Sequence, residues 1–351
     1  MKLLRILMFA LCLAPFISFA SKPLSGARDM VLIYAGGTHR GEWNKEKFAP
    51  YVSMTDETGK PHWLFDGFLF LEIKNGEGRG FASYYEKQGA RKQEWTKLLN
   101  DYLTPGKIIC ALNDCIGDAK KINSKKFTRK KIVIGLPEPI PNQKDWGEID
   151  GTVIDFSNAE HRLSACRWFI DTAIEKFKQA NLKNLELVGF YWIAEEATNS
   201  RKLANNVSDY IKSKKMTFNW IPYYQSEGYT DWKSLGFDIA YLQPNYFFNE
   251  KIPFERLDNA CKVAEENGMS MEMEFDDRAL NTGKFAYRLT DYMNAFEKHG
   301  VFNNLPIAYY QGNLAFYNMF HSNDSSDKQL YMKLAKRIAQ RQEMKNLKRA
   351  K

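Results

Sequence analysis

The chain has 351 residues, with 50 Lys and Arg against 42 Asp and Glu and a formal net charge of +8. That length suits one large α/β domain or two modest ones. Five scattered cysteines in so long a chain exclude a disulfide scaffold, and beyond the first residues no apolar run approaches the ~18 needed for a membrane span.

The chain opens with a secretory pattern. Lys2 and Arg5 precede an apolar run over residues 6–16, broken only by Pro15, and Ser18-Phe19-Ala20 places small residues where a signal peptidase reads. Residues 1–20 are expected to be a cleavable leader directing the chain to the periplasm or outside. Leu11 ahead of Cys12 does not fit a lipoprotein signal. The remaining cysteines, Cys110, Cys115, Cys166 and Cys261, read as buried apolar residues, with room for one long-range disulfide.

After the leader, short apolar strands alternate with amphipathic helices. Strands are predicted over 30–35, 64–72, 131–136, 185–193, 217–223, 238–243, 270–275 and 306–311. Helices are predicted over 92–103, 107–120, 161–180, 200–214, 254–267, 284–299 and 328–347. Gly268 and Gly300 sit just past two of them, where a left-handed cap is wanted. Only the fifth connection, 225–236, is too short for a full helix. Eight strands with helical crossovers predict an α/β fold, a single (β/α)8 TIM-like barrel over 21–325, closed by a terminal helix and basic tail over 326–351. A doubly wound open sheet shows the same alternation. It normally carries a Gly-rich nucleotide turn, which Tyr34-Ala35-Gly36-Gly37-Thr38-His39 is not. The segments 75–85 and 136–141 follow strands, and are expected as long loops on the working face. The basic run from Lys333 to Lys351 reads as the solvated face and tail of a helix, with no nucleic-acid partner.

Two stretches carry the chemistry. In the seventh strand Met271, Met273 and Phe275 alternate with Glu272, Glu274 and Asp276. Helices cover a barrel's outside, so the apolar set points out and the acids point in. In the fourth strand Val188, Phe190 and Trp192 face out, leaving Gly189, Tyr191, Ile193 and Glu195 inward. Glu195 is preferred to Glu196 on this parity. Buried carboxylates cost several kcal/mol unless paired or hydrogen-bonded, so stacked acids in a lumen point to function. Two carboxyls flanking a sugar's anomeric carbon perform glycoside hydrolysis: Glu195 is read as the acid/base and Glu274 as the nucleophile, with a separation of about 5 Å meaning retention and about 6.5–9.5 Å inversion. The two are expected to converge on a common sugar ring.

Acid/base on the fourth strand and nucleophile on the seventh resembles the clan A retaining glycosidases, although Ala194 stands where that clan has Asn. With Gly189-Phe190-Tyr191-Trp192 before Glu195, and Glu272 with Glu274-Phe275-Asp276, the chain more closely resembles the secreted bacterial barrels of domain-of-unknown-function family 4855. The resemblance implies a glycosidase-like barrel across roughly residues 28–325 and fixes no substrate.

Sugar sites combine aromatic platforms with amides. Tyr191, Gln243, Asn245, Tyr309 and Gln311 at strand ends are read as lining, with Tyr191, Gln243, Tyr309 and Gln311 on inward parity. Glu272 and Asp276 join them, as do His39 and Arg40 after the first strand, and Arg278 with these two would suit an acidic sugar. The five histidines have no metal-ligand spacing, so no metal and no cofactor is expected. The partner expected is carbohydrate. Two alternatives stay open: a non-catalytic carbohydrate-binding barrel, and a polysaccharide-acting lyase with a Tyr or His39 base.

Overall fold

The computed structural model describes residues 27–123 and 125–350. The leader expected over residues 1–20 lies outside the described residues, as do the tail side chains from 345 onward. Eight strands form the central sheet: β1 (Asp29–Tyr34), β2 (Gly67–Leu71), β3 (Lys130–Leu136), β4 (Leu185–Trp192), β5 (Thr217–Trp220), β6 (Ile239–Leu242), β7 (Ser270–Glu274) and β8 (Ile307–Tyr310). Each pairs in parallel with its neighbours in chain order, and β8 returns to β1 through Asp29↔Ile307, Met30↔Ala308 and Val31↔Tyr309. The sheet is a closed (β/α)8 barrel.

The helical layer follows. It runs α1 (Lys45–Val52), α2 (Lys92–Tyr102), α3 (Ile108–Ile122), α4 (Ala159–Ala180), α5 (Arg201–Ser213), α6 (Glu255–Glu266), α7 (Ala286–Lys298), α8 (Val301–Asn304), α9 (Ala315–His321) and α10 (Ser325–Ala350). Between β5 and β6 there is only the 3-10 turn Tyr229–Asp231. The sequence pattern did not reveal α1, which is eight residues long and contains Pro50. Its start is fixed by Asn44, whose side chain accepts the Lys47 N–H at 3.0 Å. Gly300 takes a left-handed conformation after α7, and Gly268 does the same after α6. All four described cysteines are buried and free. Among the described residues no helix is long and apolar enough to cross a membrane.

Register settles which side chains face the lumen, because residues directly opposite in a sheet share a face. Glu272 lies opposite Ala308 and Glu274 opposite Tyr310, so inward acids on β7 require Ala308 and Tyr310 inward on β8. Tyr309 therefore points out. Its hydroxyl donates to Asp29 Oδ1 at 2.7 Å and its ring meets Phe65 at 5.2 Å. Gly189 is required on β4, since a Cβ there would stand 2.4 Å from the Thr217 carbonyl oxygen of β5.

The last helix is part of the barrel's foundation. Arg341 on α10 is fully buried, and its Nε donates to Asp29 Oδ1 at 2.6 Å. Its other nitrogens cover the carbonyls of Arg28 and Leu305, while Gln342 holds Asp29 Oδ2 at 2.7 Å. The basic run is thus not wholly a solvated face. Arg337 likewise pairs with Glu297 at 2.7 Å and Lys336 with Glu57 at 2.6 Å. Arg341→Ala leaves a buried charge on Asp29 and is expected to destabilise the fold by about 3–5 kcal/mol in urea unfolding. The pair Arg341→Met with Asp29→Asn should recover only part of that loss, since the carbonyls of Arg28 and Leu305 stay uncovered.

Candidate active site

The loop leaving β4 is pinned from two sides. Trp220 Nε1 donates to the Ala194 carbonyl at 2.7 Å, and Trp192 Nε1 donates to Ser200 Oγ at 3.0 Å. Between these anchors Glu195 turns into a cavity of about 610 Å³ at the C-terminal ends of the strands. That is within the roughly 300–1,000 Å³ of small-molecule sites. Glu272 and Asp276 from β7 and its exit line the same cavity, as do Tyr191, Gln243 and Asn245. Asn245 holds a left-handed backbone at φ 53°, and its side chain accepts the Gln243 amide at 3.0 Å.

The acids form one electrostatic group. Burial, then the charge on Glu274, raises the Glu195 carboxyl to about 7. Burial, then Glu274 and Glu195, holds Glu272 well above the ordinary carboxylate range. Glu274 is fully buried and is not part of the cavity wall. Its Oε2 accepts the Tyr246 N–H at 3.3 Å and the hydroxyl of Tyr292 on α7. These bonds favour its charged form, yet burial outweighs them and carries it to about 7. Its Oε1 has no hydrogen-bond partner among the described residues.

Both cations at the cavity are already committed. Arg40 makes a bidentate pair with buried Glu72 at 2.7 and 3.0 Å. Arg278 binds Asp276 through Nε at 3.0 Å and Nη2 at 2.7 Å. Among the described residues no group of three or more His, Cys, Asp or Glu is placed to hold a metal ion.

The family model described as domain of unknown function DUF4855 matches residues 29–336. The chain belongs to this family. No curated protein matches it in sequence. Among solved structures, the DUF4855 chain is similar to a protein designated a candidate alpha-L-fucosidase from Bacteroides thetaiotaomicron VPI-5482, with 12% identity, 89% of this chain and 94% of the other covered, and a TM-score of 0.49. It is also similar to the xylanase and alpha-amylase inhibitor protein XAIP-II from Scadoxus multiflorus, with 12% identity, coverage of 86% and 97%, and a TM-score of 0.43. A tryptophan synthase alpha-subunit mutant from Pyrococcus furiosus follows with 8% identity, coverage of 89% and 96%, and a TM-score of 0.38.

Several side chains of the DUF4855 barrel stand elsewhere than the sequence reading put them. Tyr309 and Gln311 face the helices, because the β8 register runs one residue out of step with the inward assignment. Gln311 is fully buried, takes the Tyr51 hydroxyl at 3.1 Å and donates to the Asn313 carbonyl at 3.0 Å. Tyr310 takes the lumen position instead. His39 is exposed and outside the cavity, its ring lying over Gly37 and Gly76 where a Cβ would clash with it. Arg40 and Arg278, expected to suit an acidic sugar, are each paired with an acid, Glu72 and Asp276. The sequence reading missed Tyr34, Tyr85 and Phe248 on the wall. Tyr34 was findable, since it shares a face with Leu32 on β1.

A carboxyl whose folded value lies above its unfolded value keeps a proton that the unfolded chain releases. Stability is then full below the unfolded value, about 4.5, and falls as pH rises toward and past the folded value. Glu195, Glu272 and Glu274 all act in this direction. Thermal unfolding should therefore occur at lower temperature at about pH 8 than at about pH 5.5, and Glu272→Gln should shrink that difference. An unchanged difference in the variant would contradict the shared burial of these groups.

Proposed function

We propose that this barrel is a secreted glycoside hydrolase cleaving a poly- or oligosaccharide of uncharged sugars by a retaining mechanism. The observation that carries the reading is the meeting of Glu195 from the β4 exit and Glu272 from β7 in one cavity lined by tyrosines and amides, with Glu274 buried outside its wall and acting on both through its charge. Its cations are already paired, which favours a sugar without carboxylate. Export follows from the basic start and apolar run of residues 1–20.

In this mechanism Glu195 is protonated near neutral pH, because burial and the Glu274 charge hold it up. It gives its proton to the departing glycosidic oxygen as the C–O bond breaks. Glu274, whose resting ionised form is supported by Tyr292 and the Tyr246 N–H, leaves those bonds to enter the cavity and bonds to the anomeric carbon. Water then displaces that ester while Glu195 takes up the water's proton, which regenerates both groups. Glu272, kept neutral, donates a hydrogen bond to a sugar oxygen.

A panel of glycosyl fluorides and polysaccharides tests this. Glu195→Gln should lower kcat on polysaccharide by about 100-fold or more and spare kcat/KM for a glycosyl fluoride, whose leaving group needs no proton, while kcat on the fluoride falls because hydrolysis of the ester still needs the base. Glu274→Ala should lose turnover on both and regain it with added azide, whereas Glu272→Ala should not be rescued. Azide rescue of Glu272→Ala alone would transfer the nucleophile's role to Glu272. Full activity in all three variants would end the hydrolase reading. The sealed position of Glu274 favours, as a second reading, a carbohydrate-binding barrel without turnover. It would appear as calorimetric binding of a glycan that the wild type never cleaves.

A further inference from the structure

Glu195 borders two cavities. Beside the main one lies a hollow of about 200 Å³, and Glu195 and Tyr85 stand in the wall of both. The remaining wall includes the loop after β2 at Ser83 and Tyr84, the exit of β3 at Glu138, the exit of β4 at Glu196, and Tyr223 beyond β5. The hollow has about seven waters' share of liquid volume, which is room for one pyranose ring.

Two features of this hollow have no explanation in packing. Glu138 is 2% exposed, and its Oε2 accepts the Ser83 N–H at 2.7 Å, but its Oε1 has no hydrogen-bond partner among the described residues. A buried carboxyl oxygen left unpaired weakens the fold, so native chains rarely keep one without a use. Burial pushes the Glu138 carboxyl upward, against the pull of the Ser83 N–H, the Ser83 hydroxyl and the nearby Arg162. Tyr84, across the same hollow, holds a left-handed backbone at φ 73° and leaves its side chain in water, 81% exposed. A bulky residue in that conformation is strained, and strain of this kind gathers at ligand sites.

We propose that this hollow is the leaving-group subsite, holding the sugar on the far side of the scissile bond, with Tyr84 as its stacking platform and Glu138 Oε1 bonded to one of its hydroxyls. The proposal rests on the glycosidase reading and deepens it. A general acid must reach the oxygen that joins two rings, so it must border the space of each. Glu195 is the carboxyl that does so here. The hollow carries Glu138 and Glu196, the latter accepting the Tyr223 hydroxyl at 2.9 Å, so the ring it takes is an uncharged, hydroxyl-bearing pyranoside rather than a uronate. The substrate is then at least a disaccharide.

The test uses Glu138→Gln and Tyr84→Ala, neither of which touches the bond that breaks. Each is compared with wild type on the glycosyl fluoride it cleaves fastest and on the trisaccharide of the same sugar. The kcat/KM on trisaccharide should fall about tenfold in each variant, with the fluoride changed less than about twofold. Equal losses on both substrates, or no loss on trisaccharide, would overturn the subsite. Calorimetry of Glu195→Gln with cellotriose, xylotriose, mannotriose, maltotriose and chitotriose reads binding without turnover. There, adding Tyr84→Ala should raise Kd about tenfold for any trisaccharide that binds. If wild type cleaves nothing and this weakening is still seen, the hydrolase reading falls, and with it the leaving-group role, and the hollow stands as a sugar-binding subsite. If no trisaccharide binds, or Kd is unmoved by Tyr84→Ala, the subsite falls.

Discussion

The pairing of β8 with β1 is the constraint on which the site depends. Once Met30 lies opposite Ala308 and Glu272 opposite Ala308 from the other side, all three strands must show the lumen the same parity. An open sheet would leave β4 and β7 free to diverge. Closure places their C-terminal ends around one mouth, which gathers Glu195, Glu272 and Tyr191 at one cavity. The base is secured separately by the buried Asp29–Arg341 pair, which ties α10 to the start of β1. A structural ion pair thus sits at the N-terminal end of the strands and the candidate chemistry at the other, the division usual for this architecture.

Three carboxyls in a low-dielectric lumen would be a plain liability if they served only the fold. Their arrangement separates them by environment. Glu274 has hydrogen bonds that favour its charge, whereas burial and two acidic neighbours hold Glu272 up. Glu195 is raised by burial and by Glu274 to about 7, where Glu274 also lies. Two coupled acids poised near neutral pH can hold one proton between them, which is what acid–base chemistry there requires. The committed guanidiniums of Arg40 and Arg278 sharpen the contrast, since neither is free to neutralise the lumen acids.

Much of the architecture was legible in the sequence because its periodicity is strong. All eight strands were visible as apolar runs, and the alternation of Met271, Met273 and Phe275 with acids announced the face of β7 correctly. The short connection between β5 and β6 could be read from length alone. What failed was local. On β8 the run Ile-Ala-Tyr-Tyr-Gln offers no polar–apolar contrast, so parity there is set by the register with β7 and β1, which no single strand reveals. Helix α1 depends on an Asn44 cap and tertiary packing rather than on propensity. The pairing of Arg40 with Glu72 and of Arg278 with Asp276 is a tertiary fact that residue types alone do not disclose. Glu138 lay in a Pro-rich loop that was assigned to the working face, but burial with an orphaned oxygen is visible only in three dimensions.

The central claim is that Glu195 and the β7 acids are one coupled system within a single lumen. Carboxyl 13C NMR of glutamate-labelled protein measures it directly, by titrating Glu195 in wild type and in Glu274→Gln. The account predicts a wild-type midpoint near 7 that moves down toward the ordinary carboxylate value when the Glu274 charge is removed. A Glu195 midpoint at the ordinary value in wild type, or one that Glu274→Gln leaves in place, would contradict it.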